Sequence, residues 1–284
     1  MKNAFTVDVE DYFQVQAFAN VIDPGRWDDY QPRVLANTDA VLELLAERDV
    51  AGTFFILGWV AKRNPGLVRQ IARAGHEIAS HGMNHSMVTT QSGDVFRSET
   101  RDSKKLLEDL CQQPVIGYRA ATYSITSKSV WALDILCEEG FKYDSSIFPM
   151  RHDYYGFPDA NPLPHRLTTP NGSSLAEFPI SVLRRGGLTI PIAGGGYFRL
   201  LPYRFTRWAL RELNTAGQQF VFYIHPWEVD PSQPRIEQAG LLSRFRHYQN
   251  LKRCAARLRL LLEDFEFTTM HAVLSQMGLL DPDA

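Results

Sequence analysis

The chain has 284 residues, of which 44% are hydrophobic, and its 30 basic and 32 acidic residues leave a formal net charge of −2. This length allows two small domains or one barrel-sized domain, with enough apolar residues for a sizeable core. The near balance of charge gives no electrostatic case for binding nucleic acid or an anionic membrane, and it favours a neutral or weakly charged substrate.

The cysteines and the N-terminal residues indicate the cellular compartment in which the protein is expected. Cys111, Cys137 and Cys254 are odd in number and far apart, which predicts small buried hydrophobes rather than a disulfide framework. Residues 1–8 lack the apolar run of a signal peptide, and no window approaches the length of a transmembrane segment. We therefore expect a cytoplasmic protein.

The first predicted strand, residues 4–9, leads directly into a cluster of carboxylates. Asp8, Glu10 and Asp11 stand together at its end. Like charges this close repel one another unless a cation or hydrogen-bond donors share the space. A cation site and a solvated acidic turn explain this segment equally well.

Strand and helix patterns then alternate, with short loops between them. They are a helix at 39–48 capped by Asn37 and Thr38, a strand at 51–57, a helix at 65–74 ending at Gly75, and a strand at 77–80. This alternation predicts parallel βα units.

The strand at 77–80 delivers His81, and His85 follows four residues later. Both imidazoles can point to one side of a turn, which is a spacing used by metal ligands. Two histidines need a carboxylate from elsewhere to complete a site. By itself the pair is more typical of solvated or helix-capping histidines than of metal ligands.

Two further units follow, and each strand ends in a charged residue. A helix at 95–110 precedes a strand at 115–119 that ends in Arg119, and a helix at 127–139 precedes a strand at 141–144 that ends in Asp144. The carboxyl ends of strands in a parallel barrel share one face, where active sites are built. Taken one at a time, each residue has a structural role that explains it as well as a catalytic role does. Arg119 could form a structural ion pair, and Asp144 could cap a helix or turn.

Residues 144–200 are rich in proline and glycine. They contain a predicted hairpin at 166–178 with Asn171 and Gly172 at its turn, and a bend at 194–196 near the mouth of the site. The glycines lack the context of a phosphate-binding loop.

The C-terminal third contains a helix at 203–216 and a buried strand at 219–225 that ends in His225. Trp227 and Glu228 come next and could line the site, although an aromatic beside a proline more often packs. One long amphipathic helix at 241–264 and a last helix from Thr269 to Met277 complete the chain. We assign His152, His165 and His247 to surface or loop positions. The alternative for His225 is a buried core histidine whose hydrogen bonds are satisfied.

Five segments, read together, resemble the ordered motifs of the polysaccharide deacetylase family, also called carbohydrate esterase family four or the chitooligosaccharide deacetylase homology domain. They are residues 6–11 (TVDVED), 80–85 (SHGMNH), 117–121 (GYRAA), 143–146 (YDSS) and 224–226 (IHP). The insert and the tail at 265–269 resemble the branch associated with bacterial exopolysaccharide gene clusters.

The resemblance implies an α/β fold, a distorted (β/α)7 TIM-like barrel with a Pro/Gly-rich insert and a helical C-terminal extension. The whole chain, 1–284, would be one domain, with the motifs at 5–228 and the extension at 229–284 packed on it. A divalent metal, usually Zn, would be held by His81, His85 and one carboxylate. The common first motif has two adjacent aspartates, but here Val9 follows Asp8, so Glu10 and Asp11 both remain candidate metal ligands.

By position in the motifs, Asp8 matches the catalytic base and Arg119 the residue that steadies it. His225 matches the general acid, and Asp144 resembles the carboxylate that orients it. We place Tyr123 and Trp227 at the substrate, with a backbone N–H near Thr122 or Tyr123 at the oxyanion. Ala121 and Tyr223 replace a frequent proline and leucine, and these changes bear on the substrate.

The function implied is hydrolysis of the N-acetyl group of an N-acetylated sugar, in a polysaccharide or its precursor. Such an enzyme is a hydrolase of non-peptide amide bonds. A cyclic amide or ureide hydrolase on the same barrel is one alternative, and an inactive carbohydrate-binding homologue is another. Retention of both proton-transfer groups argues against the inactive homologue, because a binding protein needs neither.

Overall fold

The structure is a computed structural model that describes residues 1–152 and 155–280. Its strands are β1 (Asn3–Val9), β2 (Thr53–Ile56), β3 (Glu77–Ser80), β4 (Gly117–Tyr118), β5 (Tyr143–Asp144), β6 (His165–Thr168), β7 (Ser174–Glu177), β8 (Val182–Arg185), β9 (Leu188–Pro191), β10 (Val221–Ile224) and β11 (Phe267–Thr268). Its α-helices are α1 (Val34–Ala46), α2 (Gly58–Arg63), α3 (Pro65–Arg73), α4 (Gly93–Cys111), α5 (Trp131–Glu138), α6 (Gly195–Leu200), α7 (Tyr203–Thr215), α8 (Leu241–Tyr248), α9 (Leu251–Asp264) and α10 (Met270–Gln276).

Seven parallel strands form a curled sheet in the order β10-β1-β2-β3-β4-β5-β7. Strand β6 adds antiparallel to β7, and β11 adds parallel to β1. The segments after β7 and after β9 bridge the gap towards β10, where Val221 N–H donates to Ser181 Oγ at 3.0 Å and Tyr223 N–H donates to Ala193 O at 2.8 Å. The predicted distorted barrel is thereby confirmed.

The central strands are rich in apolar residues because helices or loops cover both of their faces. Every residue of β1, β2 and β10 is buried. Burial of one large apolar side chain such as Phe54 contributes about 1.5–3 kcal/mol to folding. These strands therefore form a rigid base from which the residues at their carboxyl ends project.

Helix α1 begins at Val34, so the prediction of a helix capped by Asn37 and Thr38 is wrong, and both residues lie buried inside it. A distant carboxylate caps the helix instead. Asp11 Oδ2 accepts the N–H groups of Arg33 at 2.7 Å and Val34 at 3.0 Å. A carboxylate at a helix N-terminus satisfies orphan donors, which makes a local cap unnecessary.

The single helix predicted at 241–264 is two helices, α8 and α9. Asn250 has a left-handed φ of 54° between them, and its side-chain amide donates to Arg199 O at 2.9 Å. The predicted cap of the last helix is confirmed, since Thr269 Oγ1 accepts the N–H of Ala272 at 3.1 Å.

The three cysteines are free, with Cys111 and Cys254 buried and Cys137 half-buried. Within residues 1–152 and 155–280, none of the helices combines the length and apolarity needed to traverse a bilayer. The predicted domain of 1–284 includes residues 153–154 and 281–284, which lie outside the described residues.

Candidate active site

Polar side chains converge at the carboxyl edge of the sheet, as the strand pattern predicted. Asp8 comes from β1, His81 follows β3, Arg119 follows β4 and His225 follows β10. They meet at a pocket of about 190 Å³, which Asp8, His81 and His225 line. Parallel strands bring these residues together because their carboxyl ends share one face.

Glu10, His81 and His85 form a three-donor set whose ligand atoms all lie within 4.8 Å of one another. His85 has a left-handed φ of 53°. The turn that this conformation closes brings the two imidazole centroids to 5.2 Å. The predicted pairing of both histidines on one side of a turn is confirmed.

The donor chemistry of this set fits a divalent metal. His81 Nδ1 is 2.8 Å from Arg119 O and donates to it, which leaves Nε2 as the ligand atom. Burial lowers the pKa of His81 to about 4, so the imidazole is neutral at neutral pH. Glu10 Oε2 is buried 2.7 Å from His85 Nε2 without a directed hydrogen bond. The two imidazoles and the Glu10 carboxylate are suitable ligands for Zn or a similar ion.

The structure separates the two carboxylates that the sequence left open. Glu10 lies with the histidines, whereas Asp11 does not. Asp11 Oδ1 accepts the N–H of Tyr12 at 2.9 Å, and its Oδ2 caps α1. The geometry therefore contradicts Asp11 as a metal ligand, because backbone donors occupy both of its oxygens.

Arg119 fixes the position of Asp8. Its Nη1 donates to Asp8 Oδ1 at 2.6 Å and to Thr6 Oγ1 at 2.8 Å, and its Nη2 donates to Ser145 Oγ at 3.0 Å. The guanidinium is fully buried above the Phe55 ring, at 4.0 Å from the centroid. These hydrogen bonds hold the Asp8 carboxylate in one orientation. The predicted pairing of Arg119 with Asp8 is confirmed.

His225 lies opposite Asp8 and is held by Glu228. His225 Nε2 is 4.0 Å from Asp8 Oδ2, and Nδ1 is 2.8 Å from Glu228 Oε1. Burial opposes the charged imidazolium, but the Glu228 hydrogen bond and the charges of Glu10, Glu228 and Asp8 outweigh it and raise the pKa of His225 to about 9. The imidazole therefore carries a proton at neutral pH and can donate it.

Glu228 in turn binds a buried arginine. Arg199 Nε donates to Glu228 Oε2 at 2.5 Å, and both side chains are at most 1% exposed. Burial opposes ionisation of Glu228, but Arg199 and His225 lower its pKa to about 2. Arg199 was not among the predicted site residues, and Glu228 was predicted only as a residue that could line the site. The spacing of His225 and Glu228 around Pro226 resembles a capping box and could have signalled the pair.

Asp144 does not orient His225, so this prediction is wrong. The Asp144 carboxylate accepts from Ser146 Oγ at 2.6 Å and Ser146 N–H at 3.1 Å, whereas Glu228 binds His225. The partner of Asp144 across the β5–β7 pair is Glu177. Burial raises the pKa of Asp144 to about 6.

The predicted substrate residues both border the pocket. Tyr123 Oη is 3.4 Å from Asp8 Oδ2, and Thr122 and Tyr123 have left-handed φ values of 56° and 51°. The N–H of Tyr123 donates to Ala120 O at 3.1 Å, which leaves Thr122 as the backbone donor to consider for an oxyanion. Trp227 is nearly buried and donates from Nε1 to Glu10 Oε1 at 3.3 Å.

His247 is buried behind the acid, so its assignment to a surface or loop position is wrong. Its ring stacks on Trp227 at 4.1 Å, and its Nε2 is 2.7 Å from Gln233 Oε1. Trp227 stacks on His225 at 5.2 Å on its other side. Packing of α8 against this region buries His247, and the sequence has no local signal for that contact.

Comparison with known families covers most of the chain. Residues 26–137 match the polysaccharide deacetylase model, and residues 145–275 match a domain of unknown function, DUF3473. The second match contains Arg199, Glu228 and His247, the three residues behind the acid.

Several curated proteins are similar to part of the chain, and two of them illustrate the match. Peptidoglycan-N-acetylglucosamine deacetylase of Bacillus cereus is 37% identical over 79 residues, which are 28% of this chain and 37% of that protein. Chitooligosaccharide deacetylase of Rhizobium leguminosarum bv. trifolii is 32% identical over 99 residues, which are 35% of this chain and 43% of that protein. The chain thus spans less than half the length of either relative.

One solved structure, from Mycobacterium smegmatis and provisionally described as a polysaccharide deacetylase, superposes with a TM-score of 0.64 at 22% identity. The match covers 98% of this chain and 91% of that one. At this identity the likeness establishes a shared fold.

Proposed function

We propose that this chain, which carries a polysaccharide deacetylase domain, is a metal-dependent hydrolase that removes N-acetyl groups from an N-acetylated sugar in a polysaccharide or its precursor. One observation carries the proposal. A base held by an arginine and an acid held by a glutamate face each other across 4.0 Å, beside a set of metal donors. Opposed proton-transfer groups of this kind suit the cleavage of an amide.

Glu10, His81 and His85 would hold the metal, most simply Zn, since borderline divalent ions prefer imidazole and carboxylate donors. When bound, such an ion supplies Lewis acidity for a carbonyl oxygen and lowers the pKa of water. Three protein ligands leave room for substrate, as in catalytic rather than structural zinc sites.

The protein groups supply the proton transfers. Asp8 accepts a proton from the attacking water as the water oxygen forms its bond to the acetyl carbon. Arg119 pairs with Asp8 and orients it for this step. His225 Nε2 then donates a proton to the amide nitrogen as the carbon–nitrogen bond breaks, giving acetate and a free amine. This donation is necessary because an amine anion is a poor leaving group.

Two features favour this reaction over the alternatives. Two of the matched curated relatives are named peptidoglycan-N-acetylglucosamine deacetylase and chitooligosaccharide deacetylase, which supports an N-acetylated sugar over a cyclic amide or ureide. The paired supports of Asp8 and His225 favour an enzyme over an inactive carbohydrate-binding homologue. A binding protein has no use for a pair of groups that accept and donate protons.

The biological role, the cellular location and the extent of the domain are inferred from the sequence. The tail at 265–269 supports a role in exopolysaccharide synthesis, and the expected cytoplasmic location would place the enzyme with a glycan precursor. We treat 1–284 as one domain. Contacts between Arg257 Nη1 and the carbonyls of Phe198, Arg199 and Leu201, at 2.8, 2.8 and 3.1 Å, support packing of the extension on the barrel.

Elemental analysis combined with acetate release from a panel of N-acetylated oligosaccharides tests the proposal. We expect about one metal per chain in the wild type, as in mononuclear catalytic sites, and loss of both metal and acetate in His81→Ala. His165→Ala is the matched control, because that histidine lies on β6. Metal-loaded wild type that releases no acetate from any member of the panel would contradict the proposal.

A further inference from the structure

Four large apolar side chains are exposed together on α8 and at the end of α6. They are Leu200, Leu241, Leu242 and Phe245, with exposed fractions of 47%, 84%, 61% and 57%. We call this set the apolar rim. Isolated exposed leucines are ordinary, but a group of large apolar side chains on one short helix marks an interaction surface.

The apolar rim borders the cleft that leads out of the active site. Leu200 and Leu242 line a cleft of about 570 Å³. The cleft shares lining residues with the pocket of Asp8 and His225, among them Thr122, Tyr223 and Arg246. A substrate that reaches the catalytic groups through this cleft therefore passes the rim.

Positive charge is concentrated in residues 235–259, the stretch of sequence that contains α8 and most of the apolar rim. Residues 235–259 contain a single acid, Glu237, and seven bases, which are Arg235, Arg244, Arg246, Lys252, Arg253, Arg257 and Arg259. Arg246, Lys252 and Arg253 are exposed, and the described part of the chain provides no ion-pair partner for them. The balanced total charge of the protein conceals this local excess.

The inner side of α8 is fixed to the active site. Arg199 Nη1 donates to the carbonyls of His247 at 2.7 Å and Gln249 at 2.8 Å. His247 stacks on Trp227, which in turn stacks on His225. The helix thus has one side anchored behind the general acid and the other side, with Leu241 and Phe245, exposed.

We propose that the apolar rim docks on the surface of an anionic lipid bilayer, so that the cleft opens at the membrane and takes a glycan presented there on a lipid. A short helix with exposed leucine and phenylalanine beside arginine and lysine matches the chemistry of an interfacial helix. Anionic headgroups attract the basic residues while the apolar side chains enter the acyl boundary. The substrate part of this inference rests on the proposed deacetylase function.

Vesicle co-sedimentation tests the docking surface directly. Wild type is mixed with vesicles of phosphatidylcholine alone or with about one quarter phosphatidylglycerol, and compared with the double variant Leu241→Ser, Phe245→Ser. Leu188→Ser is the matched control, because Leu188 is 67% exposed but belongs to the separate β8–β9 hairpin. Circular dichroism and thermal unfolding establish that all three proteins are folded.

We expect wild type and Leu188→Ser to bind the anionic vesicles, and the double variant to bind at least about tenfold more weakly. Added salt should weaken wild-type binding, because the arginines and lysine contribute electrostatically. Acetate release from a soluble oligosaccharide should be equal in all three proteins, which separates docking from catalysis.

Failure of wild type to sediment with anionic vesicles, or equal sedimentation of the double variant, overturns the inference. A wild-type dimer in sedimentation velocity that the double variant abolishes, without vesicle binding, would overturn it in favour of a second copy of the chain. Loss of acetate release in every protein, with vesicle binding intact, would contradict the deacetylase function while upholding the docking surface.

Discussion

Glu228 Oε1 accepts two hydrogen bonds from His225, one from Nδ1 at 2.8 Å and one from the backbone N–H at 3.1 Å. The acid and its orienting carboxylate thus belong to the same turn, which Pro226 begins. Arg199 binds the other oxygen of Glu228. The general acid therefore depends on the C-terminal half of the chain for its charge and orientation.

Replacing Glu228 by glutamine should lower kcat for acetate release by about 100-fold, because His225 loses the negative partner that keeps it protonated and aimed. Metal content should stay unchanged. Asp144→Asn is the comparison variant, since the sequence assigned that role to Asp144, and we expect its kcat to stay within a few-fold of wild type. A larger loss in Asp144→Asn than in Glu228→Gln would contradict the geometry.

Replacing the catalytic base and replacing a metal ligand should cause different defects. Asp8→Asn should retain metal but lose about 100- to 10,000-fold in kcat, since it cannot accept the proton of water. His85→Ala should lose the metal itself. Metal analysis and acetate release on the same preparations distinguish the two defects, and an Asp8→Asn enzyme with wild-type turnover would refute the base assignment.

Replacing Glu10 and replacing Asp11 should have different effects, the first on metal binding and the second on stability. Glu10→Gln should weaken metal binding with little change in the stability of the metal-free protein. Asp11→Asn should keep the metal but lower the free energy of unfolding by about 0.5–2 kcal/mol, because Asp11 caps α1. Urea denaturation of the metal-free proteins and metal titration provide the two readouts, and exchanged phenotypes would show that Asp11 is the ligand.

The buried pair of Asp144 and Glu177 should make stability depend on pH. Burial and the adjacent Asp144 raise the pKa of Glu177 well above its ordinary value, so the folded state binds more protons than the unfolded chain does above the ordinary pKa of a glutamate. Stability from this group is complete below the unfolded pKa and is lost as the pH rises through the folded pKa.

Urea unfolding of wild type and Glu177→Gln between pH 5 and pH 9 measures this effect. Glutamine cannot ionise, so the free energy of unfolding of the variant should fall less steeply over this range than that of wild type. Parallel curves for the two proteins would mean that Glu177 titrates alike in the folded and unfolded chains.

Sequence alone predicted the residues whose placement follows from the strands. Asp8, His81, Arg119 and His225 each end or follow a buried apolar run, and parallel strands bring such positions to one edge whatever the details of packing. The spacing of His81 and His85 is equally local. These features needed only the periodicity and order of the elements.

The hydrogen-bond partners of those residues depend on tertiary packing and could not be predicted from the sequence. Asp11 became a cap for a helix that begins at Val34, and Glu228 rather than Asp144 became the partner of His225. Arg199 reaches across 29 residues to Glu228 and 48 residues to His247. Such contacts depend on how whole helices pack on the barrel. Hydrophobic periodicity specifies which face of an element is buried, but it contains no information on which distant polar group will meet it there.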